Sequence, residues 1–245
     1  MLNAPPVITS IIGPIDPLLS GNVANMTAHF ADPGVLDTHL AIWNWDDGTS
    51  SSGMVLESSG SGETAATHAF TSAGVYQVGL VLADSDGALA QATWYVIVID
   101  SNAGFVTGAG VIESPAGAYS GDPAFVGSAH FNFSVRYHRG TLVPTGSAAF
   151  RFGRGVTLRS DSLAWLVVVN SKAQLKGAGT LDGVPGYSFL LTAYDNQRNA
   201  ADRFRIKIWH AVTGQVVFDN ARGSSDDLDD AQPSAIVAGN ILIHT

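Results

Sequence analysis

The sequence has no cysteine, and that excludes disulfides, thiolate zinc sites and cysteine nucleophiles together. It is also short of charge. Asp, Glu, Lys and Arg make up 13% of 245 residues, about half the usual share, so Ser, Thr, Asn, Gln and Gly must keep the surface wet. Positive charge is missing from more than half of the chain: no Lys or Arg occurs before Arg136. No apolar run approaches the 18 or so residues of a spanning helix, so no membrane span is expected. The start, with Asn3 followed by Ala4-Pro5-Pro6, has no basic-then-apolar leader and reads as a fragment beginning in a linker.

What remains is glycine, apolar residues and acid. Glycine is 27 of 245 residues and hydrophobic residues are 46%. Many turns and few long helices follow. Residues 1–100 hold ten carboxylates and no base, hence −10, while residues 101–245 hold eleven acids and twelve bases, hence +1. The sum is the stated −9. This asymmetry supports two domains and argues against nucleic acid as a partner, since the first half has nothing to neutralise phosphate.

Period-two patterning dominates. Strands are expected near Val7–Ile12, Val23–Phe30, His39–Trp45, 75–82 and 89–99, the last two joined by the turn Asp84-Ser85-Asp86-Gly87. Trp43 and Trp45 share one side of their strand and read as core aromatics. A polar break at residues 101–104 places the boundary between domains at 4–100 and 104–245. It is too short for a flexible tether, so the domains are expected to touch. The clearest alternation sets Ala129, Phe131, Phe133, Val135 and Tyr137 against His130, Asn132, Ser134, Arg136 and His138. Phe204, Ile206 and Ile208 alternate with Arg203, Arg205 and Lys207, which predicts an outward-facing row ending in Trp209. The predicted fold class is all-β: two consecutive β-sandwich domains, the second a sandwich or jelly-roll barrel of about nine strands.

Four segments in order resemble the PKD family: Trp43-Asn44-Trp45-Asp46-Asp47-Gly48-Thr49, Thr67-His68-Ala69-Phe70, Ala73-Gly74-Val75-Tyr76-Gln77-Val78, and Ala83-Asp84-Ser85-Asp86-Gly87. The match spans about residues 5–100 and departs at Asn44 and Asp46, where the family has Asp and Gly. The resemblance implies an immunoglobulin-like, noncatalytic module of extracellular proteins, found in bacteria beside surface-layer proteins and secreted hydrolases. The second half more distantly resembles a tail module of large secreted bacterial proteins, through Gly104-Phe105-Val106-Thr107-Gly108, Glu113-Ser114-Pro115-Ala116-Gly117, Trp165-Leu166-Val167-Val168 and the stretch 202–209.

Catalytic templates are absent: no H-E-x-x-H, G-x-S-x-G, Walker loop or G-x-G-x-x-G after a strand. The seven histidines show no zinc-like spacing; His130 and His138 would stand about 26 Å apart on a regular strand. His68 is expected to make a packing or turn hydrogen bond.

Carboxylates in turns carry the remaining chemistry, because calcium takes six to eight oxygen ligands. Candidates in the first domain are Asp32, Asp37, Asp84 and Asp86, in two loops read as flanking opposite ends of paired strands. The resemblance implies calcium at those loops, with help from the N-terminal segment. In the second domain, Asp195, Asp202 and Asp219 fall at the ends of successive strands. Turn chemistry alone also explains an Asp in such places. The run Asp226-Asp227-Leu228-Asp229-Asp230 reads as a solvated loop. The expected function is a noncatalytic, calcium-stabilised, monomeric module of a bacterial extracellular or cell-surface protein. Its expected partners are calcium and an extracellular protein or polysaccharide. The alternative is a carbohydrate-binding accessory module of a secreted hydrolase, with Trp209 as the ligand-binding candidate.

Overall fold

The computed structural model describes residues 3–102, 104–138, 141–153, 155–197 and 200–244. The break predicted at 101–104 includes Ala103, which lies outside the described residues. The chain divides into two compact units, Met1–Val98 and Ile99–Thr245. All regular structure among the described residues is strand.

The first unit contains β1 (Val7–Ile12), β2 (Leu18–Leu19), β3 (Val23–Ala31), β4 (His39–Asn44), β5 (Ser50–Ser52), β6 (Met54–Ser58), β7 (Ser61–Ala69), β8 (Gly74–Asp84) and β9 (Leu89–Ile99). They form two sheets, ordered β1-β3-β7-β6 and β2-β9-β8-β4-β5, antiparallel from β1 to β6 and from β9 to β5. Alternation sets the inner faces. Ala24, Met26, Ala28 and Phe30 point inward from the first sheet, and Ala41, Trp43, Val78, Leu80, Leu82, Val96 and Val98 from the second. Trp43 and Trp45 are fully buried, as their spacing predicts, with ring centroids 6.2 Å apart. His68 stacks on Trp45 at 4.8 Å and its Nε2 lies 2.7 Å from Asp47 Oδ2, so the histidine makes the expected packing and turn contacts.

The second unit contains β10 (Phe105–Ser114), β11 (Gly127–Arg136), β12 (Thr145–Phe152), β13 (Val156–Val169), β14 (Lys172–Leu181), β15 (Val184–Tyr194), β16 (Arg203–His210), β17 (Val216–Asp219), β18 (Ser234–Ala235) and β19 (Ala238–Ile243). They make one ten-stranded sheet, an antiparallel meander from β17 back to β10 with β19 on the far edge of β10. So long a sheet curls. Phe131 of β11 and Phe204 of β16 are separated by four strands in the sheet, yet their rings stack at 3.9 Å. The C-terminal segment spans the fold: β18 pairs with β16 and β19 with β10. The result is sandwich-like, with a core of Phe131, Phe133, Phe150, Phe152, Phe204 and Phe218. Phe131 and Phe133 face inward, and Arg136 and His138 outward, as the alternation predicts.

Two expectations fail here. Arg205 does not face water: it is only 2% exposed, because residues 219–226 cover that face of β16. Nor is the run 226–230 a solvated loop. Asp227 and Leu228 are buried, Asp226 accepts from Lys207 and pairs with Arg205, and Asp229 accepts from Lys172. Cations supplied by β14 and β16 draw this acidic run onto the sheet.

Candidate functional site

The carboxylates of Asp32, Asp37 and Asp84 each offer an oxygen within 4.8 Å of the others. Strand pairing brings them together. β4 runs antiparallel to β8 with His39 opposite Asp84, so the loop entering β4 and the loop leaving β8 meet at one end of the unit, not at opposite ends. The tight turn after β8 closes through a hydrogen bond from Asp84 N–H to Ala88 C=O, and Gly87 takes φ +90°, which suits a residue without Cβ.

Each carboxylate has its own partners. Asp32 Oδ1 accepts from Gly34 N–H at 2.6 Å, and Asp32 Oδ2 lies 2.9 Å from His39 Nε2. The other ring nitrogen, Nδ1, lies 2.6 Å from Glu57 Oε2. Burial pulls the His39 pKa down, but hydrogen bonds with Glu57 and Asp32 outweigh it and the net shift is upward. Asp84 Oδ2 accepts from Asn3 Nδ2 at 2.8 Å, and Asp84 Oδ1 from the N–H groups of Asp86 and Ala88. The Asn3 bond, opposed by burial and joined by the backbone donors, holds the Asp84 carboxyl below its ordinary value. Asp37 has the fewest donors, a 3.5 Å contact from Ser85 Oγ. An added Cβ at Gly34 would collide with Asp37 Oδ2 and stand 3.1 Å from Asp32 Oδ1, so a side chain there would push the Asp37 carboxylate aside.

An ionised carboxylate has about four lone-pair positions, and the protein donors here leave some free on all three residues. The set is all oxygen, anionic and partly buried, with no Lys or Arg in the first 135 residues. Those donors fit a hard divalent cation such as calcium. Asp86 is exposed and supplies its backbone N–H to Asp84, not a fourth convergent carboxylate.

The second-domain candidates do not converge on one another in this way. Asp195 and Asp202 do stand at the same end of the β15–β16 hairpin, where Tyr194 pairs with Arg203. Their oxygens accept backbone N–H groups instead: Asp195 from Gln197 and Ile243, Asp202 from Asn196 and Ile241. Asp219 is buried in a two-pronged bond from Arg205, at 3.0 and 2.9 Å. Trp209 is half-buried, with Lys207 Nζ 6.0 Å from its ring centroid.

Sequence reasoning misses Asn3, His39 and Glu57. Pairing the predicted strand at 39 with the one ending near 84 would have located His39. Glu57 lies on β6, a strand whose Met54–Ser58 pattern is mostly exposed and gives no periodic signal.

Two facing sheets with inward aromatics and a carboxylate-bearing loop end define the first unit as an immunoglobulin-like β-sandwich module. Residues 3–98, nearly all of this unit, match the family model of the PKD domain. PKD domains are typically noncatalytic accessory modules. Among solved structures, the chain is similar to the PKD domain of an M14-like peptidase from a Thermoplasmatales archaeon, at 26% identity over 40% of this chain and 98% of that one, with TM-score 0.35. It is also similar to a carbohydrate-binding module of the beta-sandwich superfamily, at 13% identity over 100% of this chain and 86% of the other, with TM-score 0.34. An uncharacterised Listeria monocytogenes protein, solved with glucose, magnesium and calcium, is similar at 10% identity over 85% of this chain and 19% of that one, with TM-score 0.28. Comparison with curated proteins gives no match. No helix among the described residues is long and apolar enough to cross a membrane.

Proposed function

We propose that this chain is a noncatalytic module of a bacterial extracellular or cell-surface protein, serving as a spacer or attachment element, and that calcium stabilises its first unit. The observation that carries the reading is the convergence of Asp32, Asp37 and Asp84 within 4.8 Å in a half of the chain that has no Lys or Arg. Calcium bound there would be held by these three carboxylates and would offset their mutual repulsion. It would tie the loop entering β4 to the loop leaving β8. The PKD match supports the accessory, extracellular role. Residues 1–98 are proposed to fold without the rest; expressed alone, they should unfold in one cooperative transition.

The test is thermal unfolding of the full chain in chelator, then in calcium, magnesium or sodium chloride at matched ionic strength. Site binding predicts a rise that is largest with calcium and smaller with magnesium, which holds its water and demands octahedral geometry. Equal effects from all three salts would mean simple screening of the acidic half and would remove the calcium reading.

A further inference from the structure

The twelve bases all lie after residue 135, and the fold sorts the nine that are among the described residues. Lys172, Arg205 and Lys207 are in ion pairs. Arg203 and Arg222 donate to backbone carbonyls. Arg136, Arg151, Arg159 and Lys176 are exposed and, among the described residues, have no hydrogen-bond or ion-pair partner for their side chains.

These four share one surface. Arg151 stands opposite His130 and, through the β12–β13 register, diagonal to Arg159, which itself stands opposite Thr180 of β14. Residues two apart on a strand share a face, so Arg136 joins His130 and Lys176 joins Thr180. The outward face of β11–β14 therefore carries four unpartnered cations. The only acid within those strands is Asp161, at the bulge between Ser160 and Ser162, and it makes no ion pair. A groove of about 730 Å³ runs over the middle of this face. Its lining includes His130, Arg151, Thr157, Arg159 and Thr180, with Asp161 at its margin as the one acid of the lining.

Diagonal neighbours on adjacent strands stand about 7–8 Å apart, within common reach of one anionic chain. Guanidinium groups bind carboxylates bidentately, and the hydroxyl and amide groups around them suit sugar hydroxyls. The outward side chains of the groove include no Phe, Tyr or Trp and no large aliphatic residue, unlike the core of a protein interface. The same lack of Phe, Tyr and Trp disfavours stacking on nucleic-acid bases. The volume lies in the range of small-molecule sites.

We infer that the outward face of β11–β14 binds a carboxylate-bearing polysaccharide, held by Arg151 and Arg159. The site lies in the second unit and is independent of the calcium proposal.

The experiment is electrophoresis of the full chain in native gels containing polygalacturonate or neutral dextran, with single-stranded DNA binding measured by anisotropy, all in chelator. Polygalacturonate should retard the protein and dextran should not. The double variant Arg151→Gln/Arg159→Gln should weaken binding about tenfold or more, the scale of losing one charge-assisted hydrogen bond or more. Its melting temperature should be unchanged, since neither guanidinium has a partner to lose. Lys172→Gln, which removes one positive charge elsewhere, should bind as the parent does. No retardation by polygalacturonate would overturn the inference. So would equal binding by the double variant, or DNA binding as tight as that of the polyuronate.

Discussion

The two units face the same electrostatic problem and answer it differently. In the second, acids find partners within the fold: Asp219 and Asp226 pair with Arg205, Asp226 also with Lys207, and Asp195 and Asp202 accept from backbone N–H groups. In the first, Asp32, Asp37 and Asp84 converge with one imidazole, one amide and a few N–H groups beside them. The proposed answer for a carboxylate cluster that the chain leaves without Lys or Arg is a cation from solution. The difference teaches that an Asp in a turn reveals little by itself; the balance of charge around it distinguishes a structural acid from a candidate ligand.

The largest expected effect tests the internally neutralised half. Arg205→Met should destabilise the second unit by about 3–5 kcal/mol in denaturant unfolding, because it strands the Asp219 carboxylate in the core. Adding Asp219→Leu should restore part of the loss. If Arg205→Met alone is mild, the pair is not the neutralising element described.

Next comes a hydroxyl that stands in for a missing strand. β12 pairs with β13 only over residues 156–159, so Leu166 lacks a β12 partner. Tyr137 fills the gap, donating to Leu166 C=O at 3.1 Å and accepting from its N–H at 2.9 Å. Tyr137→Phe should cost about 1–3 kcal/mol by leaving a buried N–H unpaired. Burial raises the Tyr137 pKa to about 12, opposed by the Leu166 bond. Its unfolded value is near 10, so its contribution is intact below pH 10 and is lost as pH rises from 10 to 12. Alkaline melting of the parent should show that loss, and the Phe variant should show less of it.

Smaller effects sharpen the first half of the comparison. In chelator, Asp37→Asn should stabilise the chain by about 1 kcal/mol, the repulsion of two unit charges at such a separation in a water-like medium. In saturating calcium the same change should destabilise it. A variant that shifts stability in one direction under both conditions would refute a cation role for Asp37. The His39 pKa is raised in the folded protein, so its contribution is complete below about pH 6.5 and fades as pH rises through the folded value. In chelator, melting followed from pH 6 to 9 should decline for the parent and be flatter for His39→Asn.

Much of this comparison was legible in the sequence and some was not. Period-two runs located β1, β3, β4, β8 and β9, and the Phe131/Phe133 alternation fixed the core face of β11. β7 was not visible: Ser61–Ala69 is small, polar and poor in β-branched apolar residues, and it is a strand because β3 and β6 pair with it on both sides. The tail is divided between β18 and β19, which pair with two different strands of the curled sheet, and such a split leaves no mark in the sequence. Asp32, Asp37 and Asp84 could be named from turn chemistry. That they meet could not, because the meeting depends on the β4–β8 register. Arg205 misled because a charged residue in an alternating strand reads as solvent-facing until a covering loop is known.

The central proposal is that an external divalent cation completes the first unit at Asp32, Asp37 and Asp84. Its most direct test is calorimetric melting of the full chain and of two variants, Asp84→Ala and Asp195→Ala, in chelator and in calcium. Calcium at a hundred times its Kd should add about 2.7 kcal/mol to the unit that binds it. That raises its melting temperature by several degrees. The rise should vanish in Asp84→Ala and persist in Asp195→Ala. No calcium-specific rise in the parent, or a rise that survives Asp84→Ala, would contradict the account.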